Sequence, residues 1–263
     1  MPTLLLSRSC QPEATRLAGI AHAARWHHQW ISRRKVPAKL HGDDLALYAE
    51  TDVALRVARR HGLVLIEPPF DFLSHLPQQY TRREVRYMTL GAALQWPDRT
   101  FVKPADCTRK VFDAGIWDAG RYIRCPDDLS RDTPVLVSEP VIWEDEFRVI
   151  VLEREVGTLS PYIRGGWLAK DGDGQWRCRD DETNDLLAFC QTLLADPAAL
   201  LPPAFTLDVG TIKDRGWAVV EANPVWCSGL LGCDLAKLLP VLHRACWKRS
   251  QLTSADAVWV IDR

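Results

Sequence analysis

The chain has 263 residues, 47% of them hydrophobic and 25% charged, with a formal net charge of −1. That balance excludes a disordered chain and supplies no long-range attraction to nucleic acid or an anionic membrane. No apolar run approaches the ~18 residues of a membrane span. The start, Met1-Pro-Thr-Leu-Leu-Leu-Ser-Arg8, lacks the basic segment and long apolar centre of a signal peptide, so a cytoplasmic location is expected. Eight cysteines are scattered at positions 10, 107, 125, 178, 190, 227, 233 and 246, none in a Cys-x-x-Cys pair. Reduced, mostly buried thiols are the expectation.

Thr3 to Leu6 reads as a first strand, and Pro12 opens an amphipathic helix through about Trp30, proline being well placed near a helix start. On that helix the adjacent His27 and His28 would point in different directions, which suits surface or core histidines rather than ligands. Asp43 or Asp44 caps a second helix running to His61, with Gly62 as its C-terminal stop. Leu63 to Ile66 forms a buried strand closed by Pro68-Pro69. Strand, helix, helix, strand suggests a small α/β unit, expected to span residues 1–75. Composition changes between Phe72 and Tyr80, so a second domain is expected over 76–263. Further strands follow at Val85–Thr89, Thr100–Lys103, Val135–Val141 and Glu146–Leu152, with a short helix near Leu90 to Leu94. A helix begins at Asp181 and stops before Pro197. Asp234 caps a last helix, which Pro240 would kink. Strands and helices mix without βαβ alternation, which argues for an α+β fold.

The segment before that last helix carries the densest chemistry. Phe205-Thr-Leu-Asp208-Val-Gly and Trp217-Ala-Val-Val-Glu221-Ala-Asn223-Pro flank the polar connector Ile212-Lys-Asp-Arg-Gly216, a hairpin signal. Glu221 and Asn223 are two apart and share a face. A turn centred between Asp214 and Arg215 sets Asp208 opposite Glu221, with Cβ atoms ~4.5–5.5 Å apart. Like charges that close repel unless a cation lies between them. An all-oxygen donor set suits magnesium rather than zinc.

Other single residues admit two readings each. Lys103, near the end of an apolar strand, is a point charge for a phosphate or a solvated edge residue; Lys110, in the loop beyond, is similar. Glu139 lies among apolar neighbours and needs a partner, which an adenine amino group or a surface arginine would supply. Glu146 and Arg148 share a strand face, so they suit a ribose hydroxyl and an anionic group, or else pair with each other. Arg164 stands beside Gly165-Gly166, where it can meet an anion or brace the turn. Gly-x-x-x-x-Gly-Lys-Ser/Thr, Gly-x-Gly-x-x-Gly after a strand and Gly-x-Ser-x-Gly are all missing from the sequence.

Taken in order, Phe-Val-Lys103-Pro, Val-Ser-Glu139-Pro-Val, Glu146-Phe-Arg148-Val, Leu-Asp208-Val and Val-Glu221-Ala-Asn223-Pro resemble the ATP-grasp superfamily. Asp71-Phe-Leu, Leu76-Pro, Arg83-Glu-Val and Lys110-Val-Phe are similar to the clade named for one arginine and two lysines. The resemblance covers roughly residues 70–245. It implies two α+β subdomains that clamp ATP, hinged near 139–142, after a variable N-terminal domain. It further implies that Lys103 and Lys110 hold ATP phosphates, that Glu139 and the Pro140–Val141 backbone read adenine, and that Glu146 binds the ribose. Asp208, Glu221 and Asn223 would hold Mg2+. A small-molecule carboxylate, such as an amino acid or peptide, would be activated as an acylphosphate and joined to an amine, with Arg148 and Arg164 stabilising the anionic intermediate. A kinase on the same scaffold, or a nucleotide-binding module without catalysis, are the alternatives. Trp226, two residues beyond the family's Asn-Pro, would line the acceptor pocket or pack on the last helix.

Overall fold

A computed structural model describes residues 1–10, 12–109, 111–118, 126 and 128–261. The N-terminal segment forms β1 (Thr3–Ser7), α1 (Glu13–Ala23), β2 (His27–Ile31), β3 (Leu45–Tyr48), α2 (Thr51–His61) and β4 (Leu63–Leu65). β1 is central, with β2 and β3 parallel on either side. Two expectations change here. The first helix stops at Ala23, because Arg25 takes a left-handed turn at φ 60° and Trp26 N–H closes back on Ala21. His27–Ile31 then leaves as a strand, so the two histidines point to opposite faces. The second helix begins at Thr51 rather than at Asp43 or Asp44, because Leu45–Tyr48 is a strand buried along its whole length. Gly62 ends that helix at φ 64°, a left-handed stop that glycine adopts freely.

A four-stranded antiparallel sheet follows, built from β5 (Val85–Thr89), β6 (Thr100–Pro104), β7 (Gly115–Trp117) and β8 (Pro134–Ser138) in the order β5-β8-β6-β7. The third sheet holds β9 (Trp143–Leu152), β10 (Glu155–Arg164), β11 (Trp167–Leu168), β12 (Ala204–Ile212) and β13 (Gly216–Asn223) in the order β11-β10-β9-β12-β13. Its apolar face, with Phe147, Val149, Val151, Phe205 and Leu207, packs against α3 (Asp180–Ala195) through Leu186, Cys190 and Leu193. Asp234 caps a short 3₁₀ turn, Leu235–Lys237, that runs into α4 (Leu238–Arg244). Pro240 therefore sits in the first turn of α4, where the lost N–H has no intrahelical partner to forfeit, and not at a kink. β14 (Cys246–Lys248) pairs with β4. α4 and the Val225–Leu230 segment share one core with β1, β3, α1 and α2. The chain's end thus closes over its beginning. Among the described residues no helix is long and apolar enough to cross a membrane. The described cysteines are free thiols.

Gly210 on β12 marks a close approach: a Cβ there would lie 2.5 Å from the Asp145 carbonyl oxygen and 3.0 Å from the Trp143 ring. Backbone cannot yield as a flexible side chain can. Gly210→Ala is expected to cost about 1–3 kcal/mol, the usual range for overpacking, although alanine is ordinarily the better strand residue. Urea unfolding of the variant checks it.

Candidate active site

Asp208 and Glu221 are directly opposed across the β12–β13 hairpin. The turn closes one residue short of the symmetrical one, with Ile212 opposite Gly216 and Asp214 at φ 62°. A bulge between the Asp208 and Val209 pairs, with Val220 as the extra residue, restores the register. Bulges redirect side chains next to functional sites, and this one turns Glu221 toward Asp208. Arg83 braces it. The buried guanidinium donates to the carbonyls of Val219 (2.8 Å), Val220 (3.1 Å) and Thr81 (3.0 Å), and lies 4.9 Å from the Trp143 ring centroid. Burial lowers its pKa to about 10, against the pull of Glu139, Glu146 and Glu221.

The three oxygen-bearing side chains meet. Asn223 Nδ2 donates to Glu221 Oε1 at 2.9 Å and to Asp208 Oδ2 at 3.4 Å. Asp208 is wholly buried and is gripped by Arg148, with Nε to Oδ1 at 2.9 Å and Nη2 to Oδ2 at 2.7 Å. Arg148 also donates to the Gly229 carbonyl at 2.6 Å. Lys103 Nζ reaches Glu221 Oε2 at 2.6 Å. Burial pushes the Asp208 carboxyl up to about 6, and the neighbouring Glu221 adds to this against Arg148. Burial would also raise Glu221, but the Lys103 ammonium, its hydrogen bond and the Asn223 amide outweigh it and bring it to about 2.

A cleft of about 390 Å³ opens beside this group, with Lys103, Glu139, Pro140, Val141, Glu146 and Glu221 on its walls. Its apolar side is Leu73, Val85, Phe101, Ile116 and Leu136, a lining suited to a flat ring system. Glu139 pairs with Arg215, one of the two kinds of partner expected for it. Glu146 and Arg148 share a face but do not pair with each other. The Tyr162 hydroxyl donates to Glu146, while Arg148 pairs with Asp208 over the Tyr162 ring, 5.5 Å from its centroid. Burial raises the Glu146 carboxyl, opposed by the Tyr162 bond.

Arg164 and Trp226 fall outside this group. Arg164, at the end of β10, donates to Glu182 Oε2 at 2.9 Å and stands 3.7 Å from Asp145. It fastens the first turn of α3 and does not line the cleft. Lys110 lies outside the described residues. Trp226 is fully buried, donates to the Ile66 carbonyl at 3.0 Å and packs in the N-terminal core, not in a pocket. Sequence reading named neither Tyr162 nor Trp143, and took Arg83 only as a family mark. Tyr162 is the extra residue at a bulge between the Pro161 and Ile163 pairs, which simple alternation does not show.

The same architecture occurs in solved structures of low sequence identity. D-cycloserine synthetase DcsG aligns over 93% of this chain and 97% of its own, at 13% identity and a TM-score of 0.53. D-alanyl-alanine synthetase A from Vibrio cholerae O1 biovar eltor str. N16961 aligns over 85% and 88%, at 13% identity and 0.52. The ATP-grasp ligase PsnB complexed with minimal precursor aligns over 92% and 97%, at 13% identity and 0.50. The fold these define is ATP-grasp. Residues 80–241, more than half the chain, match the second ATP-grasp domain family of the clade named for one arginine and two lysines, and the chain belongs to that family. No curated protein matches it in sequence.

Proposed function

We propose that this protein is an ATP-dependent ligase that joins a carboxylate to an amine and releases ADP and phosphate. The observation that carries the reading is the β12–β13 hairpin, which gathers Asp208, Glu221 and Asn223 next to Lys103 at the end of a nucleotide-sized cleft.

The donor set fits a hard divalent cation. Two opposed carboxylates and an amide converge in a half-buried place, where Arg148 and Lys103 now balance one carboxylate each, and a divalent cation between them would take over that role when Lys103 leaves for a phosphate. Among the described residues no three His, Cys, Asp or Glu side chains cluster as a metal site. The proposed set differs because its third donor is the Asn223 amide, whose oxygen and nitrogen exchange places by a half-turn. Asp208, Glu221 and Asn223 would hold Mg2+, which would supply neutralisation of phosphate charge. Lys103, now on Glu221, would swing its ammonium onto a phosphate. Arg148 fixes both oxygens of Asp208 and adds positive charge behind the reacting centre. Pro140 and Val141 offer backbone groups to adenine, beside Glu139, and Glu146 offers its carboxyl to the ribose, positioned by Tyr162.

The reaction needs no protein nucleophile. An oxygen of the substrate carboxylate attacks the γ-phosphorus, the bond to ADP breaks, and an acylphosphate results. The amine then attacks the acyl carbon, expels phosphate and loses a proton. Such chemistry rests on positioning and charge.

The direct test is hydroxylamine trapping with Mg-ATP and a carboxylate panel. A ligase yields a hydroxamate; a kinase yields a stable phosphoester; a binding module yields neither. A non-hydrolysable ATP analogue with Mg2+ is expected to raise the melting temperature, since ligand at about 100 times its Kd stabilises by about 2.7 kcal/mol. No shift at millimolar analogue would exclude a nucleotide site.

A further inference from the structure

Beyond Asn223 the chain runs back over the N-terminal unit. The Ala49 N–H donates to the Trp226 carbonyl at 2.9 Å, and the Trp226 ring N–H donates to the Ile66 carbonyl at 3.0 Å. Ser228 Oγ donates to the Pro224 carbonyl at 2.7 Å. Gly229 comes next, exposed between the buried Ser228 and Leu230. Its carbonyl is the one that accepts from Arg148 Nη1 at 2.6 Å. A glycine has no side chain to restrict its own dihedrals, so the direction of that carbonyl must be fixed by its neighbours.

Glu13 and Tyr48 fix it from the N-terminal unit. Glu13 lies in the first turn of α1, which follows β1, and Tyr48 ends β3. Both stand at the carboxyl ends of parallel strands, the edge at which α/β units bring groups to a site. Glu13 Oε1 accepts from the Leu230 N–H at 3.4 Å. The Tyr48 hydroxyl lies 3.1 Å from the Ser228 carbonyl oxygen and 3.3 Å from Glu13 Oε2, with one proton to serve both acceptors. Burial and the Glu13 carboxylate push the pKa of that hydroxyl up, so it stays a donor.

The Leu230 N–H and the Gly229 C=O belong to one peptide unit. A planar trans peptide carries the two in opposite directions. Glu13 on the N–H therefore sets the rotation of the carbonyl that meets Arg148. It also polarises that peptide, because hydrogen bonds in a chain strengthen one another. Tyr48 holds the preceding peptide through Ser228. Arg148 has Nη1 on Gly229 and both Nε and Nη2 on Asp208. Once the carbonyl turns away, only the fork to Asp208 remains and the guanidinium can tilt.

We propose that Glu13 and Tyr48 are positioning residues for Arg148. They clamp the two peptides around Gly229, and so hold the guanidinium square on Asp208. Neither lines the nucleotide cleft. The N-terminal unit thus acts on the phosphoryl-transfer centre through one backbone carbonyl. The consequence for turnover rests on the ligase reading; the positioning of Arg148 does not.

The full chain with isotope-labelled arginine reads the positioning directly, by NMR. The Arg148 Nε–H signal, identified by its loss in Arg148→Lys, is followed for exchange with water. Glu13→Ala is expected to speed that exchange at least about tenfold, the scale of one lost hydrogen bond to a charged group. Tyr48→Phe should act in the same direction, and carries the test if the alanine variant does not fold. Glu13→Gln, whose amide oxygen still accepts from Leu230, should stay within about threefold of wild type. The Nε–H of Arg83, buried against β13 carbonyls, should keep its rate in every variant. With Mg-ATP and a carboxylate that yields hydroxamate, Glu13→Ala should lower kcat for ADP release about tenfold, within the range of indirect coupling, and leave KM for ATP within about twofold. Unchanged Arg148 exchange in Glu13→Ala, equal speeding in Glu13→Gln, or equal speeding at Arg83 would each overturn the proposal. The first would mean that Gly229 is held without Glu13, the second that charge alone acts, the third that the whole fold has loosened. Faster exchange at Arg148 with kcat unchanged would overturn its service to the reaction. No ADP release from the wild-type chain would instead remove the ligase reading, and the exchange rates would still decide the positioning.

Discussion

Glu221→Gln is expected to lower ADP release by roughly 10²–10³-fold, the loss typical when one preorganised electrostatic group is removed from a reacting centre. The fold should survive, because the amide keeps the volume of the carboxylate, its one oxygen can still accept from Lys103, and Asn223, which now donates to the other oxygen, can turn its own oxygen to the new N–H. What disappears is the negative charge that opposes Asp208 across the hairpin and, on this account, holds a cation. Steady-state ADP release and the melting temperature, measured on the same preparation, separate the two effects. Turnover within threefold of wild type would remove Glu221 from the metal set; a large fall in melting temperature would show that the Lys103–Glu221 pair is chiefly structural.

Arg148→Ala carries the largest expected stability loss, about 3–5 kcal/mol, because it strands a buried carboxylate without its partner. Asp208 is wholly buried and both its oxygens are held by Arg148. The pH dependence has a definite sign. Folding lifts Asp208 from 3.8 to about 6, so its ionised form opposes folding at neutral pH, and this opposition is relieved as pH falls below about 6. Without Arg148 the carboxyl rises further, and protonation relieves the variant at higher pH than the wild type. The penalty should therefore be greater at pH 8 than at pH 5.5, in urea unfolding with chelator present. An equal or larger penalty at the lower pH would mean that the stranded charge is not its source. Glu221 works the other way. Its lowered carboxyl adds stability above about 4.5, and that stability is lost as pH falls toward 2.

The hairpin was legible because its signals are local. Apolar alternation, a polar turn and the spacing of Glu221 and Asn223 fixed the opposition of Asp208 and Glu221, although the turn lies half a residue from the expected centre and a bulge makes up the difference. The residues that make the bulge work were not legible. Arg83 entered only as a family mark, yet it is held under the sheet by backbone carbonyls of β13, distant in sequence. The N-terminal unit was misread for two different reasons. Leu45-Ala-Leu-Tyr48 is a continuous apolar run of good helix formers behind an aspartate, and a strand buried on both faces shows no alternation to set it apart. The break at Arg25 carries no glycine or proline, so nothing in the local sequence announces the left-handed turn.

The central claim is that Asp208, Glu221 and Asn223 hold a divalent cation against the phosphates of a bound nucleotide. The most direct measurement is the anomalous signal of Mn2+ in crystals grown with a non-hydrolysable ATP analogue. The account predicts a manganese peak between Asp208 and Glu221, about 2.1 Å from a Glu221 oxygen and the Asn223 amide oxygen, with Lys103 moved from Glu221 to a phosphate. A manganese site elsewhere on the nucleotide, with the Lys103–Glu221 pair still closed, would contradict it.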